Sequence, residues 1–294
     1  MSLHSKSVKV VERLRQAILN RWTDLRGHPI EIDSQGCEFG FEMYYHIGYA
    51  YYAYQQGRLK KTISCRDTKC FYWFSPEHEE RYEQRRTVDW FKCFDHKAHA
   101  APRFNRWRTP DFKSQYQDRI DFGFERPVIA VFNKYNSEWE GPPVNFLSKA
   151  WLIDFVRRYR QQFDIVYARP TSKIVHDNSD VLDLDEKADL KQEGAFLIED
   201  LHAKFSNATF NEFQLCVLAN ADIRVAVQGG TSYLNGLFPG HLAVLHRKGL
   251  ESEYGSYDRF PQLGGAVVHV TSHLDEVSGF VERAAGRRLA KSAA

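Results

Sequence analysis

The sequence lacks any run of eighteen consecutive apolar residues, so it predicts no transmembrane helix. Its N-terminal stretch is charged and has apolar residues at helical spacing, without the apolar centre of a secretory signal. The sequence therefore predicts a cytoplasmic protein. Peripheral contact with a membrane surface is left open.

Cysteine is scarce and shows no paired spacing. The chain has five cysteines, and none of them form a CxxC pair. A chain of 294 residues can build its core without disulfides, so we expect reduced thiols. A zinc site made of Cys65, Cys70, Cys93 and His96 would match no strong template, and His96 with His99 lacks a third ligand. The sequence predicts no bound metal and no cofactor.

The chain also lacks a large excess of charge of either sign. Forty Lys and Arg residues against thirty-eight Asp and Glu residues give a net charge of +2, which disfavours general nucleic-acid binding. A local basic site for one small anion remains open. Neither GxGxxG nor a Walker loop is present, which disfavours nicotinamide dehydrogenases and P-loop kinases.

The composition that is present predicts a globular chain of two domains or one large α/β unit. Apolar residues make up 43% of the chain and aromatic residues 14%. Residues 1–125 read as a first domain, with helices expected at 8–22 and 41–56. A strand is expected in KKTISC (60–65), and 69–109 reads as irregular.

From residue 126 onwards strands and helices alternate, which predicts a parallel sheet with helices on both faces. Strands are expected at 127–133, 164–170, 195–200, 223–230, 242–247 and 266–270, and helices at 146–163, 211–221, from 231 and at 273–286. Asn211 is the expected N-cap of its helix. The fold class is therefore α/β, with a second domain over 126–294.

Polar residues follow these predicted strands, where ligands of open parallel sheets bind. They include Asn133, Lys134, Arg169, Gln228, Arg247, Lys248 and Glu251. The basic members could neutralise a diphosphate, although lysines at such positions are more often only solvated. Glu251 reads either as a ribose-binding acid or as a solvated loop residue.

The segment Gln228-Gly229-Gly230-Thr231-Ser232 is the most informative of these. Two glycines allow close approach of the backbone to a ligand, and the helix that follows would present free N–H groups. The two hydroxyls add donors. A tight turn that only needs positive φ explains the glycines equally well.

Two further groups carry acids. Glu38, Glu42 and His46 fall at i, i+4 and i+8 of a predicted helix, which suits a general base, although tyrosine packing with outward charges is the simpler reading. Asp183 and Asp185 read as a solvated turn, and a metal-binding DxD motif there is left open.

The segments PVIAVFNKYNSEWEGPPVNFLS, DIVYARP and NEFQLCVLANADIRVAVQGGTSYLNGLF resemble glycosyltransferase-like proteins of surface-polysaccharide clusters. GFEMYYHIGYAYYAYQQGRLKKTIS looks like the N-terminal part of the same proteins. The resemblance implies a GT-B-like architecture of two Rossmann-like domains. Residues 1–125 would be the acceptor side, short for this architecture, and 126–294 would bind a nucleotide-sugar.

The resemblance implies sugar transfer from a nucleotide-sugar donor to a glycan or lipid-linked acceptor, with no metal at the leaving diphosphate. Lys134 and Arg169 would neutralise that diphosphate. The donor would also contact Asn133, Gln228, Gly229, Gly230, Thr231, Ser232, Lys248 and Glu251. Glu42 or His46 would deprotonate the acceptor.

Two alternatives belong to other classes. One is a non-catalytic nucleotide- or glycan-binding protein with a degenerate GT-B site, which would fold identically. The other is a sulfotransferase, which requires a phosphate loop after its first strand. NKYNSEW lacks the glycine and hydroxyl content of such a loop.

Overall fold

The structure is a computed structural model that describes residues 29–83, 85, 106–169, 181–205 and 207–292. The helix expected at 8–22 and the candidate metal ligands Cys93, His96 and His99 lie outside the described residues. The chain divides into two compact units, Met1–Arg108 and Thr109–Ala294. The boundary expected from the sequence lies between residues 125 and 126, just before the first strand of the second unit.

The first unit contains a three-stranded sheet made of β1 (Ile30–Asp33), β2 (Leu59–Cys65) and β3 (His78–Tyr82). The strands pair in the order β1-β2-β3, and both pairings are parallel. The expectation of irregular structure over 69–109 was wrong at β3. Its sequence, HEERY, shows no apolar alternation because within this sheet the strand pairs only with β2 and stays partly exposed.

One helix, α1, connects β1 to β2. It begins at Phe39–Phe41, passes through a π-helical turn at Glu42–His46 and continues over Ile47–Gln55. This confirms the helix expected at 41–56. Glu38 was wrongly placed on its face, because Glu38 precedes the first turn in an extended conformation with ψ 153°.

The second unit contains a six-stranded sheet in which every pairing is parallel. Its strands are β4 (Val128–Phe132), β5 (Asp164–Ala168), β6 (Phe196–Leu197), β7 (Ala221–Val227), β8 (Gly240–Leu245) and β9 (Ala266–Thr271). The order across the sheet is β6-β5-β4-β7-β8-β9. The chain therefore starts in the middle, winds outwards, returns to the middle and winds out the other way, as in Rossmann-like folds.

The helices of this unit are α2 (Phe112–Tyr116), α3 (Lys149–Tyr159), α4 (Lys187–Gln192), α5 (Ile198–His202), α6 (Phe210–Asn220), α7 (Gly230–Gly236), α8 (Phe260–Leu263) and α9 (Leu274–Ser292). Ser148 caps α3, since its side chain accepts from the Trp151 N–H. Thr209 caps α6 in the same way, so the expected cap at Asn211 was two residues late.

Strand β4 shows why the sheet is covered on both faces: all five of its residues are buried. Ile129 and Val131 pack in a cluster with apolar residues of α3 and α9. The opposite face of β4 and β7 is covered by α6, and α7 packs on β7 and β8. This confirms the predicted α/β class with helices flanking a parallel sheet.

The strand expected at 195–200 was largely wrong. Only Phe196 and Leu197 pair with β5, and the chain then turns into α5. Ile198 and Leu201 are both buried and lie three residues apart, which suits a helix. Glu199 and Asp200 in the first turn favour the helix electrostatically.

Candidate functional site

The candidate site of the second unit lies at the carboxyl ends of β4 and β7. These strands are neighbours, yet the chain winds in opposite directions on either side of them. In open α/β sheets this reversal leaves a crevice beyond the strand ends, and ligands bind there. Asn133 and Lys134 follow β4, while Gln228 and Gly229 follow β7.

Lys134 is at the centre of the polar contacts at this edge. Its Nζ atom donates to Gln228 Oε1 at 2.7 Å and lies 2.5 Å from Glu138 Oε1. The lysine side chain is 16% exposed and that of Glu138 is 7% exposed. The structure therefore brings the predicted residues Lys134 and Gln228 together and pairs the lysine with a carboxylate from its own loop.

Asn145 joins the loop after β4 to the loop after β8. Its Nδ2 donates to Glu138 Oε2 at 2.9 Å and to the Lys248 carbonyl at 2.9 Å. Its Oδ1 accepts from the Arg247 N–H at 2.7 Å and from the Lys248 N–H at 3.1 Å. Sequence reasoning missed this residue, because its partners Arg247 and Lys248 lie about a hundred positions away.

Glu251 closes the cluster on the β8 side. It accepts a short hydrogen bond from Gln228 Nε2, and His246 Nε2 lies 3.6 Å from Glu251 Oε2. Gly249 has φ +130°, a backbone conformation that favours glycine, and a Cβ there would lie 2.3 Å from Glu251 Oε2. His246, the residue directly after β8, was also missed, although its position at a strand end was the available signal.

The glycine turn after β7 shows only part of the geometry expected from the sequence. Gly229 has φ +125°, and a Cβ there would lie 3.4 Å from Lys134 Nζ. The turn thus lets the backbone approach the lysine closely. Gly230 begins α7, and Thr231 is half-buried behind it. Ser232 is fully buried and its hydroxyl donates to the Gly229 carbonyl at 2.7 Å, so that hydroxyl is already used within the turn.

Asn133 acts on the chain rather than on the cluster. Its Nδ2 donates to the Leu147 carbonyl at 3.0 Å and its Oδ1 accepts from the Leu147 N–H at 2.9 Å. It is fully buried. These two bonds close the loop between β4 and α3 and fix the position from which Lys134 projects.

Arg169 follows β5 and is paired with acids of the segment that precedes α4. Its guanidinium contacts Glu186 at 2.6 Å and Asp183 at 3.1 Å, and it donates to the Leu182 carbonyl at 3.0 Å. Although burial disfavours the charge, these partners raise the pKa of Arg169 above its ordinary value. Two carboxylates thus already compensate its charge.

Asp185, the other acid of the predicted turn, is 90% exposed and lies 3.2 Å from Lys149.

The first unit has its own buried polar cluster around Glu42. Ser64 Oγ donates to Glu42 Oε1 at 2.5 Å, Tyr72 OH donates to the same oxygen at 2.7 Å, and Arg85 pairs with Oε2. Burial alone would raise the pKa of Glu42, but Arg85 and the two hydroxyl donors outweigh it and lower the pKa. Glu42 is fully buried, unlike the outward-pointing acid of the simpler reading.

His46 lies one turn further along α1. Its Nδ1 is 3.5 Å from Cys37 Sγ, and burial lowers its pKa despite the nearby charge of Glu42. The structure thus brings Glu42 and His46 into one buried region of the first unit. Their assignment as acceptor base stays a prediction.

Comparison of the chain with family models, with curated proteins and with solved structures finds no match. Over the described ranges, no three His, Cys, Asp or Glu side chains are grouped so that they could hold a metal ion. In the same part of the chain, no helix has both the length and the apolar content needed to cross a bilayer. The chemistry of the two clusters is therefore what indicates the function.

Proposed function

We propose that the second unit binds the nucleoside diphosphate part of a nucleotide-sugar, and that the protein is a glycosyltransferase of GT-B-like architecture. One observation carries the proposal: Lys134, Gln228, Gly229 and Glu251 meet at the carboxyl edge where the strand order reverses. A cation, a glycine turn and a carboxylate are the groups that a diphosphate and a ribose require.

In this mechanism the bond between the anomeric carbon of the sugar and the diphosphate oxygen breaks, and negative charge develops on the leaving group. The ammonium of Lys134 stabilises that charge, helped by backbone N–H groups of the turn at Gly229. Glu251 accepts hydrogen bonds from the ribose. The acceptor hydroxyl attacks the anomeric carbon and loses its proton to a general base, the role proposed for Glu42 or His46.

A nucleotide- or glycan-binding protein without transfer activity is the second candidate. Two observations favour it: Arg169 is paired with Glu186 and Asp183, and both oxygens of Glu42 have partners. Under this reading the cluster at Lys134 binds a nucleotide, and no bond is broken.

The first prediction concerns Lys134. Lys134→Ala should weaken binding of the best nucleoside diphosphate by more than about tenfold, because it removes the only lysine in direct contact with Gln228 in the described structure. The measurement is calorimetry, after a thermal-shift screen with UDP, GDP, CDP, ADP and CMP, each with and without EDTA.

Lys191→Ala is the matched control, since Lys191 is 65% exposed and pairs with the exposed Asp200. Equal affinity for wild type and Lys134→Ala would contradict the proposed diphosphate site. Release of nucleoside diphosphate from a sugar donor separates the two candidates: binding with no release on any donor and acceptor tested would support the binding protein.

A further inference from the structure

The turn at Trp139 and Glu140 is the most unusual backbone feature beside the cluster. Both residues have positive φ, +49° and +60°, in the pattern of a type I′ turn. Asn and Gly normally occupy such positions, and a bulky side chain there is a conformational outlier. Glu138 and Gly141 close the turn through two backbone hydrogen bonds of 3.0 Å and 2.9 Å.

The turn is tied directly to the candidate site. Glu138, its first residue, has a buried side chain that contacts Lys134 and Asn145. The strained conformation is therefore held by the same groups that form the cluster. Strain of this kind persists only where the surroundings impose it, and it concentrates at ligand clamps.

The side chain of Trp139 contributes little burial of apolar surface to the folded protein. It is 53% exposed, although it is the largest type of apolar side chain. The ammonium of Lys248 lies 4.9 Å from the centre of its ring. Since Asn145 binds both the N–H and the carbonyl of Lys248, one buried side chain fixes both Glu138 of the turn and Lys248.

We propose that Trp139 is the stacking platform for the nucleobase of the bound nucleotide. This inference rests on the proposed function, which assigns the phosphates to Lys134 and the ribose to Glu251. The base is bonded directly to the ribose. Lys248 is three residues from Glu251 and lies over Trp139, so the ring is on the side of the crevice to which the ribose is assigned.

The indole ring of Trp139 can stack with any of the nucleobases. Every nucleobase has a flat π face that stacks on an indole, and such stacking contributes a large share of the affinity where it occurs. The ammonium of Lys248, which lies over the ring, adds a donor for a base carbonyl or for the nearer phosphate. The platform thus contributes affinity, while hydrogen bonds select the base.

The test compares three probes on wild-type protein and variants by calorimetry: the best nucleoside diphosphate of the screen, inorganic pyrophosphate and the matching nucleotide-sugar. In wild type the nucleoside diphosphate should bind more tightly than pyrophosphate. Trp139→Ala should weaken binding of the nucleoside diphosphate about tenfold and leave pyrophosphate unchanged. Trp139→Phe should keep most of the affinity, because phenylalanine still stacks.

Two controls isolate the platform. Lys134→Ala should weaken both probes, since it acts on the phosphates. Trp73→Ala, which removes a 40% exposed tryptophan of the first unit, should weaken neither. Tryptophan fluorescence adds a direct signal: stacking of a base should quench the wild type and quench Trp139→Phe less.

Several outcomes would overturn the inference and leave the proposed function intact. One is a nucleoside diphosphate affinity that Trp139→Ala does not change. Another is a loss that appears only with the nucleotide-sugar, which would place the sugar ring on Trp139. A loss with pyrophosphate as well would mean that Trp139 only supports the loop. Failure of every probe to bind wild type would instead remove the proposed function itself.

Discussion

Glu138 is the single residue whose chemistry most directly opposes anion binding at the candidate site. Its carboxylate lies 2.5 Å from the ammonium of Lys134. It therefore neutralises the positive charge that would attract a phosphate. In a partly buried setting this attraction is stronger than on an open surface. Glu138 therefore acts as an internal counter-ion that an incoming phosphate has to replace.

Removal of this counter-ion by Glu138→Gln should strengthen the binding of pyrophosphate, by about threefold or more at low salt. The glutamine amide oxygen can still accept from Asn145, so the loop keeps its anchor. Calorimetry with pyrophosphate measures the effect of charge alone, because this probe carries no base for Trp139.

Glu140→Gln is the control for that experiment, since it makes the same change on an exposed residue two positions away. It should alter the affinity little. Weaker binding in Glu138→Gln would show that Glu138 holds Lys134 in its binding position instead of competing with the ligand.

At the scale of elements, close packing between α7 and α8 shapes the chain behind the site. A Cβ on Gly264, which follows α8, would lie 2.2 Å from the Leu237 carbonyl carbon and 2.4 Å from its oxygen. These are backbone atoms and cannot turn away. Gly286 in α9, in contrast, has no atom within 4 Å of its Cβ position.

The two glycines therefore predict opposite effects on stability. Gly264→Ala should lower the free energy of unfolding by about 1–3 kcal/mol through overpacking. Gly286→Ala should raise it by about 0.5–1 kcal/mol, because alanine is the better helix former. Chemical denaturation of each variant measures both changes. A neutral Gly264→Ala would contradict the close approach of the chain at Leu237.

At the scale of the whole molecule, the buried groups of the first unit make stability depend on pH. The folded pKa of His46 lies below the ordinary value of 6.5, so the unfolded chain takes up a proton first as the pH falls. The folded pKa of Glu42 also lies below its ordinary value of 4.5. Both shifts stabilise the folded state at higher pH, and this stabilisation is lost as the pH falls.

We therefore expect the unfolding temperature of the protein to fall as the pH drops below about 6.5, and to fall further below about 4.5. His46→Asn should reduce the first stage, since asparagine does not titrate and can replace the Nδ1 contact to Cys37. Part of that stage should remain, because burial also lowers the pKa of His78. Calorimetric scans from pH 8 to pH 3 provide the measurement. An identical pH profile for wild type and His46→Asn would contradict the assignment.

Much of the second unit was predictable because its information is local. The strand at Val128–Phe132 is an apolar run bounded by Pro127 and Asn133, and such runs indicate strands buried on both faces. Because the carboxyl ends of parallel strands lie at one edge of a sheet, the predicted strands also placed Lys134 and Gln228 at that edge. The strand that contains β6 was predicted too long, because the apolar residues of 195–200 continue into the buried face of α5. The polar β3 escaped prediction because it shows no apolar pattern of its own.

The sequence by itself determined the α/β class, the parallel strands and the gathering of Lys134, Gln228 and Glu251 at strand ends, since these follow from periodicity and chain direction. Only the tertiary structure decided which charges are compensated. Arg169 meets Glu186, Lys134 meets Glu138, and Glu42 meets Arg85. Such pairings depend on how loops and helices fold back, and no local pattern of residues encodes that geometry.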